Sequence, residues 1–427
     1  MVDPFDPNVQ PDKSGTEGSG TDRSGLLGSP ASRRTALGLI LGAPLLGACA
    51  GVQQSISQFS VPNPFSSSSP PPGPGGPPAQ SVSVGNGQVK VAVILPLSAG
   101  GNAAVAAQSM KNASEMALSE FLNPNLQLLI KDDAGSPQGA QQAAQQAVDE
   151  GAEIILGPLF ATSVPAVAQV ARGRGISVIA FSTDSSVASR GVYLLSFLPE
   201  SDVNRIVEYA ASIGKRSFGA LLPENAYGNV VEAAFKQAVP KRGGRLVVFE
   251  KYGADRSAAA RNVAGQLSSI DTLLLADDGD AVVAAADALS AAGANLKNVQ
   301  LLGTGLWDNP RVFASPTLQG GLYAAPDPAG FRSFSTRYKN KYGAEPVRTA
   351  TLAYDAVALV AALVKTQGPQ RFSPEVLTNP SGFSGIDGLF RFRQDGTCER
   401  GLAIMRVTPS GPQIIQAAPR SFGPAAG

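Results

Sequence analysis

Val89-Lys90-Val91-Ala92-Val93-Ile94-Leu95 is an almost unbroken apolar run, halted by Pro96. A strand with one wet face alternates apolar and polar residues. A strand covered on both faces does not, and such runs mark parallel sheets sandwiched between helices. Immediately after it, Ala106, Met110, Ala113, Ala117 and Phe121 recur at three- and four-residue steps, which predicts a helix over Ala103 to Phe121. Working outward, Leu126 to Ile130 reads as a strand stopped by Asp132-Asp133, and Pro137 to Glu150 as a helix. Ile154-Ile155-Leu156, closed by Gly157-Pro158, is the next strand. Helix Ser163 to Arg172 and strand Ser177 to Ala180 repeat the unit.

The pattern breaks near Leu198-Pro199-Glu200 and then restarts. Helix Asp202 to Ile213 leads to strand Phe218 to Leu222, helix Tyr227 to Val239 and strand Arg245 to Phe249. Strand Thr272 to Ala276, helix Ala281 to Ala292 and strand Val299 to Leu302 follow. Two runs of alternating strands and helices predict an α/β fold of two doubly wound parallel-sheet lobes with an interlobe cleft. Ligands of such sheets sit beyond the carboxyl ends of the strands, so the loops after each strand are the candidate site.

Composition narrows the chemistry. The 427 residues carry 34 Lys plus Arg against 33 Asp plus Glu, so no net field favours nucleic acid or an anionic surface. The chain contains no histidine, which excludes Ser-His-Asp and Cys-His nucleophile pairs and the H-E-x-x-H zinc site. The reading is therefore of a non-enzyme with no catalytic residue, metal site or cofactor. Cys49 and Cys398 lie in unlike surroundings, which argues against a bridge between them.

Residues 1–30 are Gly-, Ser- and Asp-rich with no apolar period, and read as a disordered extension. Residues 31–49 read as an export signal: Arg33-Arg34, then a short apolar run through Leu45, too short for a mature span. It closes on Leu46-Gly47-Ala48-Cys49, which resembles the bacterial lipobox; the resemblance implies a lipid thioether on Cys49, holding the protein to a membrane by that anchor alone. An ordinary cleaved signal is the alternative. Residues 50–88 include a Ser/Pro/Gly tract from Ser66 to Pro78 and read as a tether, about 35 Å long if flexible. The two-lobed body is expected over 89–410, with a C-terminal tail over 411–427.

The strand-end loops offer Pro96-Leu97-Ser98, Gly157-Pro158-Leu159-Phe160, Phe181-Ser182-Thr183-Asp184, Pro223 to Gly228, Asp277 to Asp280 and Gly303 to Asp308. Hydroxyls, carboxylates and aromatics in this setting suit a small polar ligand, and Ser98, Phe160, Ser182, Thr183, Tyr227, Asp278 and Trp307 are the candidates to touch it. Each has a plainer alternative. Ser98, Ser182 and Thr183 are also the residues that cap helices. The Asp277–Asp280 cluster reads equally as a turn and N-cap, and it does not meet the EF-hand pattern. Trp307 fits a cleft or a core. Gly303-Thr304-Gly305 opens like a dinucleotide fingerprint, but Asp308 stands at the third glycine, so it reads as a tight turn.

In the order and spacing of these segments the chain resembles the type I periplasmic-binding-protein superfamily, leucine/isoleucine/valine-binding-like branch, over Val89 to Val407. The carriers are the opening strand, Leu129 to Gly135, Ile154 to Leu159, Ala226-Tyr227-Gly228, Tyr354-Asp355-Ala356 and Phe383 to Gly388. The resemblance implies two lobes joined by several crossings and closing by hinge motion. Within the superfamily it is similar to two groups: penicillin-binding protein activator lipoproteins, and receptors of ABC importers for branched-chain amino acids or similar solutes. Gly157-Pro158-Leu159 and Ala180-Phe181-Ser182 resemble the activators, as do the lipobox and the long tether. This implies a bifunctional penicillin-binding protein as partner and an outer-membrane anchor, with Ala50 rather than Asp after Cys49. The importer reading implies an ABC permease instead. In importer receptors a hydroxyl residue follows Gly-Pro, and a Ser/Thr loop holds the ligand carboxylate. Here Ala161 and Asp184 stand in those places, and a carboxylate there repels another.

Overall fold

The structure, a computed structural model, describes residues 82–422. The expected extension, signal, lipidation at Cys49, most of the tether and residues 423–427 lie outside the described residues. The first lobe begins with β1 (Val82–Val84), β2 (Val89–Leu95), α1 (Gly101–Glu120), β3 (Leu126–Asp132) and α2 (Pro137–Asp149). It continues with β4 (Ile154–Leu156), α3 (Val164–Arg172), β5 (Ser177–Ala180) and β6 (Val192–Leu194). Its sheet runs β1-β3-β2-β4-β5-β6, parallel except for β1. Val91 to Leu95 are wholly buried, as the unbroken apolar run predicts.

The chain crosses at Leu195–Leu198 into the second lobe: α4 (Pro199–Ser212), β7 (Ser217–Pro223), α5 (Ala226–Lys241), β8 (Arg245–Tyr252) and α6 (Ser257–Gln266). Then come β9 (Thr272–Leu275), α7 (Gly279–Ala291), β10 (Gln300–Gly303), α8 (Pro310–Ala314) and β11 (Leu322–Ala325). After Ala325 it returns to the first lobe. There α9 (Pro328–Tyr342) and α10 (Ala350–Thr366) pack on α1, followed by α11 (Pro374–Leu377) and an antiparallel sheet of β12 (Phe383–Gly385), β13 (Gly388–Phe392) and β14 (Cys398–Arg400). Phe334 and Tyr338 of α9 are buried against Met116 and Ala113 of α1. Such burial is worth about 1.5–3 kcal/mol per large apolar side chain, and it fastens the returning segment to its lobe. Cys398 is free and buried here, its thiol pushed upward by burial.

A third crossing, at Gly401-Leu402, carries the chain back to β15 (Ala403–Thr408) and β16 (Gly411–Gln416). These extend the second sheet to β16-β15-β11-β10-β9-β7-β8. Two expected boundaries therefore move. The tether stretch 50–88 ends in β1, whose Val82 to Val84 pair antiparallel with Ile130 to Leu128. The stretch 411–427, read as a tail, opens with β16, which satisfies the backbone edge of β15.

Candidate interlobe site

Both parallel sheets direct the carboxyl ends of their strands to one region, and the loops there form two walls. On the first-lobe wall, the turn after β3 is built by its own acids. Asp132 Oδ1 accepts from Ser98 N (3.2 Å) and Ala134 N (2.9 Å), while Asp133 Oδ1 accepts from Gly135 N (2.8 Å). Ala134 and Gly135 both take positive φ, 50° and 69°. A Cβ on Gly135 would stand 3.3 Å from Ala99 Cβ and 3.4 Å from Phe160 Cε2, so this turn lies against the Phe160 ring. Asp133 is fully buried, its Oδ2 has no protein partner, and burial pushes its carboxyl up to about 7.

The loop after β5 is likewise occupied with itself. Ser182 is buried and its Oγ accepts from Asp184 N (3.1 Å). Asp184 Oδ1 accepts from Ser186 N (2.9 Å) and Ser186 Oγ (2.6 Å). Ser185 Oγ donates across the lobes to Glu200 Oε1 at 2.5 Å. Thr183 and Phe160 are half-buried, and Ser98 is exposed.

On the second-lobe wall, side chains from different strands pair. Tyr227 OH and Thr304 Oγ1 are 2.7 Å apart, and Tyr252 OH donates to Asp277 Oδ2 at 2.6 Å. Burial raises both phenols, and the Asp277 charge adds to it at Tyr252. The Arg256 guanidinium carbon lies 5.0 Å from the Tyr252 ring centre. Asp278 Oδ1 accepts from Ala281 N (3.0 Å) and N-caps α7, the plainer of its two readings.

Trp307, expected among the residues that touch a ligand, takes instead its alternative place in the core. It is wholly buried, and its Nε1 donates to Leu275 O (2.9 Å) beneath the wall rather than facing the cleft. A Cβ on Gly303 would lie 2.1 Å from the indole, so the first glycine of Gly303-Thr304-Gly305 makes room for that ring. Gly305 N donates to Asp202 Oδ2 (2.9 Å) at the start of α4.

At the crossings, Phe197 lies between two guanidinium groups, with Arg348 Cζ 4.5 Å and Arg400 Cζ 4.7 Å from its ring centre. Arg348 grips Asp387 with both nitrogens, at 2.9 and 2.5 Å. Arg400 is buried and donates through Nε to Ser196 O (2.9 Å), but Nη1 and Nη2 have no protein partner. Burial pushes Asp202 and Asp355 up to about 7, although Arg400 pulls both downward.

Of the predicted residues, Phe160, Ser182 and Thr183 share the first wall with Ser98 at its edge, and Tyr227 and Asp278 share the second. Tyr252, Asp133 and the arginines of the crossings were missed. Tyr252 lies just past the expected end of its strand at Phe249, and the arginines are placed by distant parts of the chain.

A model of the periplasmic binding protein family matches residues 88–412. The chain is 28% identical over 133 residues to the penicillin-binding protein activator LpoA of Shigella flexneri serotype X, covering 31% of this chain and 19% of that one. The Escherichia coli K12 activator is 26% identical over the same length and shares of each chain. The match thus spans about a fifth of the activators' length. Among solved structures, a branched-chain amino acid ABC transporter from Rhodospirillum rubrum superposes with TM-score 0.68 at 20% identity, covering 77% of this chain and 99% of that one. A Desulfitobacterium hafniense ABC transporter substrate-binding protein in complex with Leu gives TM-score 0.58 at 17% identity, covering 77% and 99%.

Proposed function

We propose, on the premise that the chain belongs to the periplasmic-binding-protein family, that it is a non-enzymatic envelope lipoprotein regulating peptidoglycan synthesis through contact with a bifunctional penicillin-binding protein. One observation carries the preference over transport. In the loop that holds a ligand carboxylate in amino-acid receptors, the Ser182 hydroxyl accepts from Asp184 N, and the Ser185 hydroxyl is given to Glu200. Asp184 adds a carboxylate at the same place, so a free amino acid would meet repulsion where its partner should be. The sequence likeness to activators over 133 residues supports the same choice. In this reading Cys49 carries the lipid, the outer membrane holds it, and the tether lets the body reach an inner-membrane synthase.

The test is surface plasmon resonance of the full chain against a purified bifunctional penicillin-binding protein, with glycan polymerisation followed in parallel. Saturable binding with a rise in polymerisation is expected. Absence of both at micromolar concentrations would remove this reading. The alternative, an importer receptor for a branched-chain or similar polar solute in contact with an ABC permease, draws on the second wall. The pairs Tyr227–Thr304 and Tyr252–Asp277 are polar contacts that a ligand could exchange.

A further inference from the structure

At the opposite end of the first sheet from the cleft lies a cavity of about 800 Å³. It is bounded by the amino ends of β4, β5 and β6, the end of α3 and the segment before α11. Its lining includes Arg172, Arg174, Arg190 and Arg371, with Glu153 as the one acid. In a chain whose charges nearly cancel, this is a local excess of cations. Glu153 does not offset it, because Glu153 Oε2 is engaged by Arg371 Nε (3.1 Å) and Nη2 (2.6 Å). Arg371 also donates to Gly368 O, so it forms a neutralised, fixed wall.

Three arginines remain. Arg172 ends α3, where a cation suits the helix dipole, and its Nη2 donates to Ser189 Oγ (3.1 Å). Arg174 stands 3.8 Å from Asp149, with both side chains more than half exposed, a pair worth little. Arg190 has neither a hydrogen bond nor an ion pair among the described residues, and its charge acts at longer range on Glu375 and Tyr193. Between them Ile176 and Phe372 supply apolar surface. Guanidinium forks match the oxygens of phosphate and carboxylate, and several cations together favour the more highly charged anion.

We propose that this cavity binds a phosphate-bearing ligand, its phosphate held by Arg172, Arg174 and Arg190 and its carbon body laid on Ile176 and Phe372. The site is independent of the cleft and of the regulatory reading above. The same chemistry occurs in a lipid headgroup and in a soluble phosphate ester.

Calorimetric titration of the full chain carrying Cys49→Ser distinguishes them, with dihexanoyl-phosphatidic acid below its micelle concentration and glycerol 3-phosphate as probes. Saturable binding of at least one is expected, weakening with salt. The triple variant Arg172→Gln/Arg174→Gln/Arg190→Gln should bind at least tenfold more weakly. A control triple on the other lobe, Arg242→Gln/Arg261→Gln/Arg311→Gln, should bind as the parent does. Binding of the lipid alone assigns the headgroup; binding of glycerol 3-phosphate assigns a soluble ester. Should the first triple variant melt abnormally, Arg190→Gln alone should still weaken binding at least threefold, with Arg190→Lys in between. No binding of either probe, equal binding of zwitterionic dihexanoyl-phosphatidylcholine, or equal loss in the control triple would overturn the site.

Discussion

The two walls of the cleft solve the same problem in opposite ways. The first-lobe wall pairs most of its polar groups within single turns, Asp132 with Ala134, Asp133 with Gly135, Ser182 with Asp184 and Asp184 with Ser186, leaving Asp133 Oδ2 without a protein partner and Ser185 bonded across to Glu200. These bonds define the backbone path, and a ligand cannot take them without unmaking the turn. The second-lobe wall satisfies its groups between turns, through Tyr227–Thr304 and Tyr252–Asp277, over a floor set by Trp307. Rotation of a side chain can release those. A wall of the first kind supplies shape and a wall of the second kind supplies exchangeable contacts, so ligand affinity, if gained, should come from the second lobe.

The largest expected effect strikes the floor of the second wall. Trp307→Ala should destabilise the protein by about 3–5 kcal/mol in urea unfolding, because the indole is wholly buried and Gly303 and Gly321 are shaped around it. A loss below about 1 kcal/mol would mean that this wall does not rest on Trp307.

Next in size is a pH effect on the first wall. Asp133 is raised to about 7 by burial, above the ordinary carboxylate range. The folded protein therefore binds this proton more tightly than the unfolded chain, and stability falls as pH rises from about 4 to about 7, then levels. Asp133→Asn keeps an acceptor for Gly135 N and removes the ionisation. At pH 8 it should be more stable than the parent by on the order of 4 kcal/mol, and the difference should vanish near pH 4. Equal pH profiles for the two proteins would refute a buried proton on this wall.

Smaller effects separate the two kinds of bonding. Tyr252→Phe strips the donor from buried Asp277 and should cost about 1.5–3 kcal/mol, as for a hydrogen bond to a charged group. Ser182→Ala removes only a turn-forming acceptor and should cost about 0.5–1.5 kcal/mol. If the serine cost more than the tyrosine, the contrast between the walls would be reversed.

What was legible in the sequence follows the reach of each interaction. Strands β2, β4 and β5 fall where their apolar runs placed them, because burial on both faces writes itself into consecutive residues. The break at Leu198–Glu200 does mark a crossing. Helix α10 gave no amphipathic signal because it is buried on nearly every side, Leu352, Ala353, Ala356, Val357, Leu359 and Val360 among them. The return of α9, α10 and β12–β14 to the first lobe is likewise decided by distant packing. The same holds for the candidate site residues. Ser182 and Tyr227 follow strand ends, where the pattern of the sequence singles them out, whereas the bond between Arg371 and Glu153 joins residues 218 apart. Trp307 was ambiguous because a lone aromatic after a strand is compatible with wall or floor, and only Gly303 and Gly321 beneath it decide.

With Asp184 at its first wall, the cleft is expected to turn away a free amino acid. A thermal shift of the full chain with leucine, isoleucine and valine, alongside muropeptide fragments, tests it most directly. A ligand at a hundredfold over its dissociation constant would add about 2.7 kcal/mol, a readily measured rise in Tm. No rise is expected with the three amino acids at millimolar concentration. A saturable rise with any of them, abolished by Tyr227→Phe together with Tyr252→Phe, would contradict it and make the chain an importer's receptor.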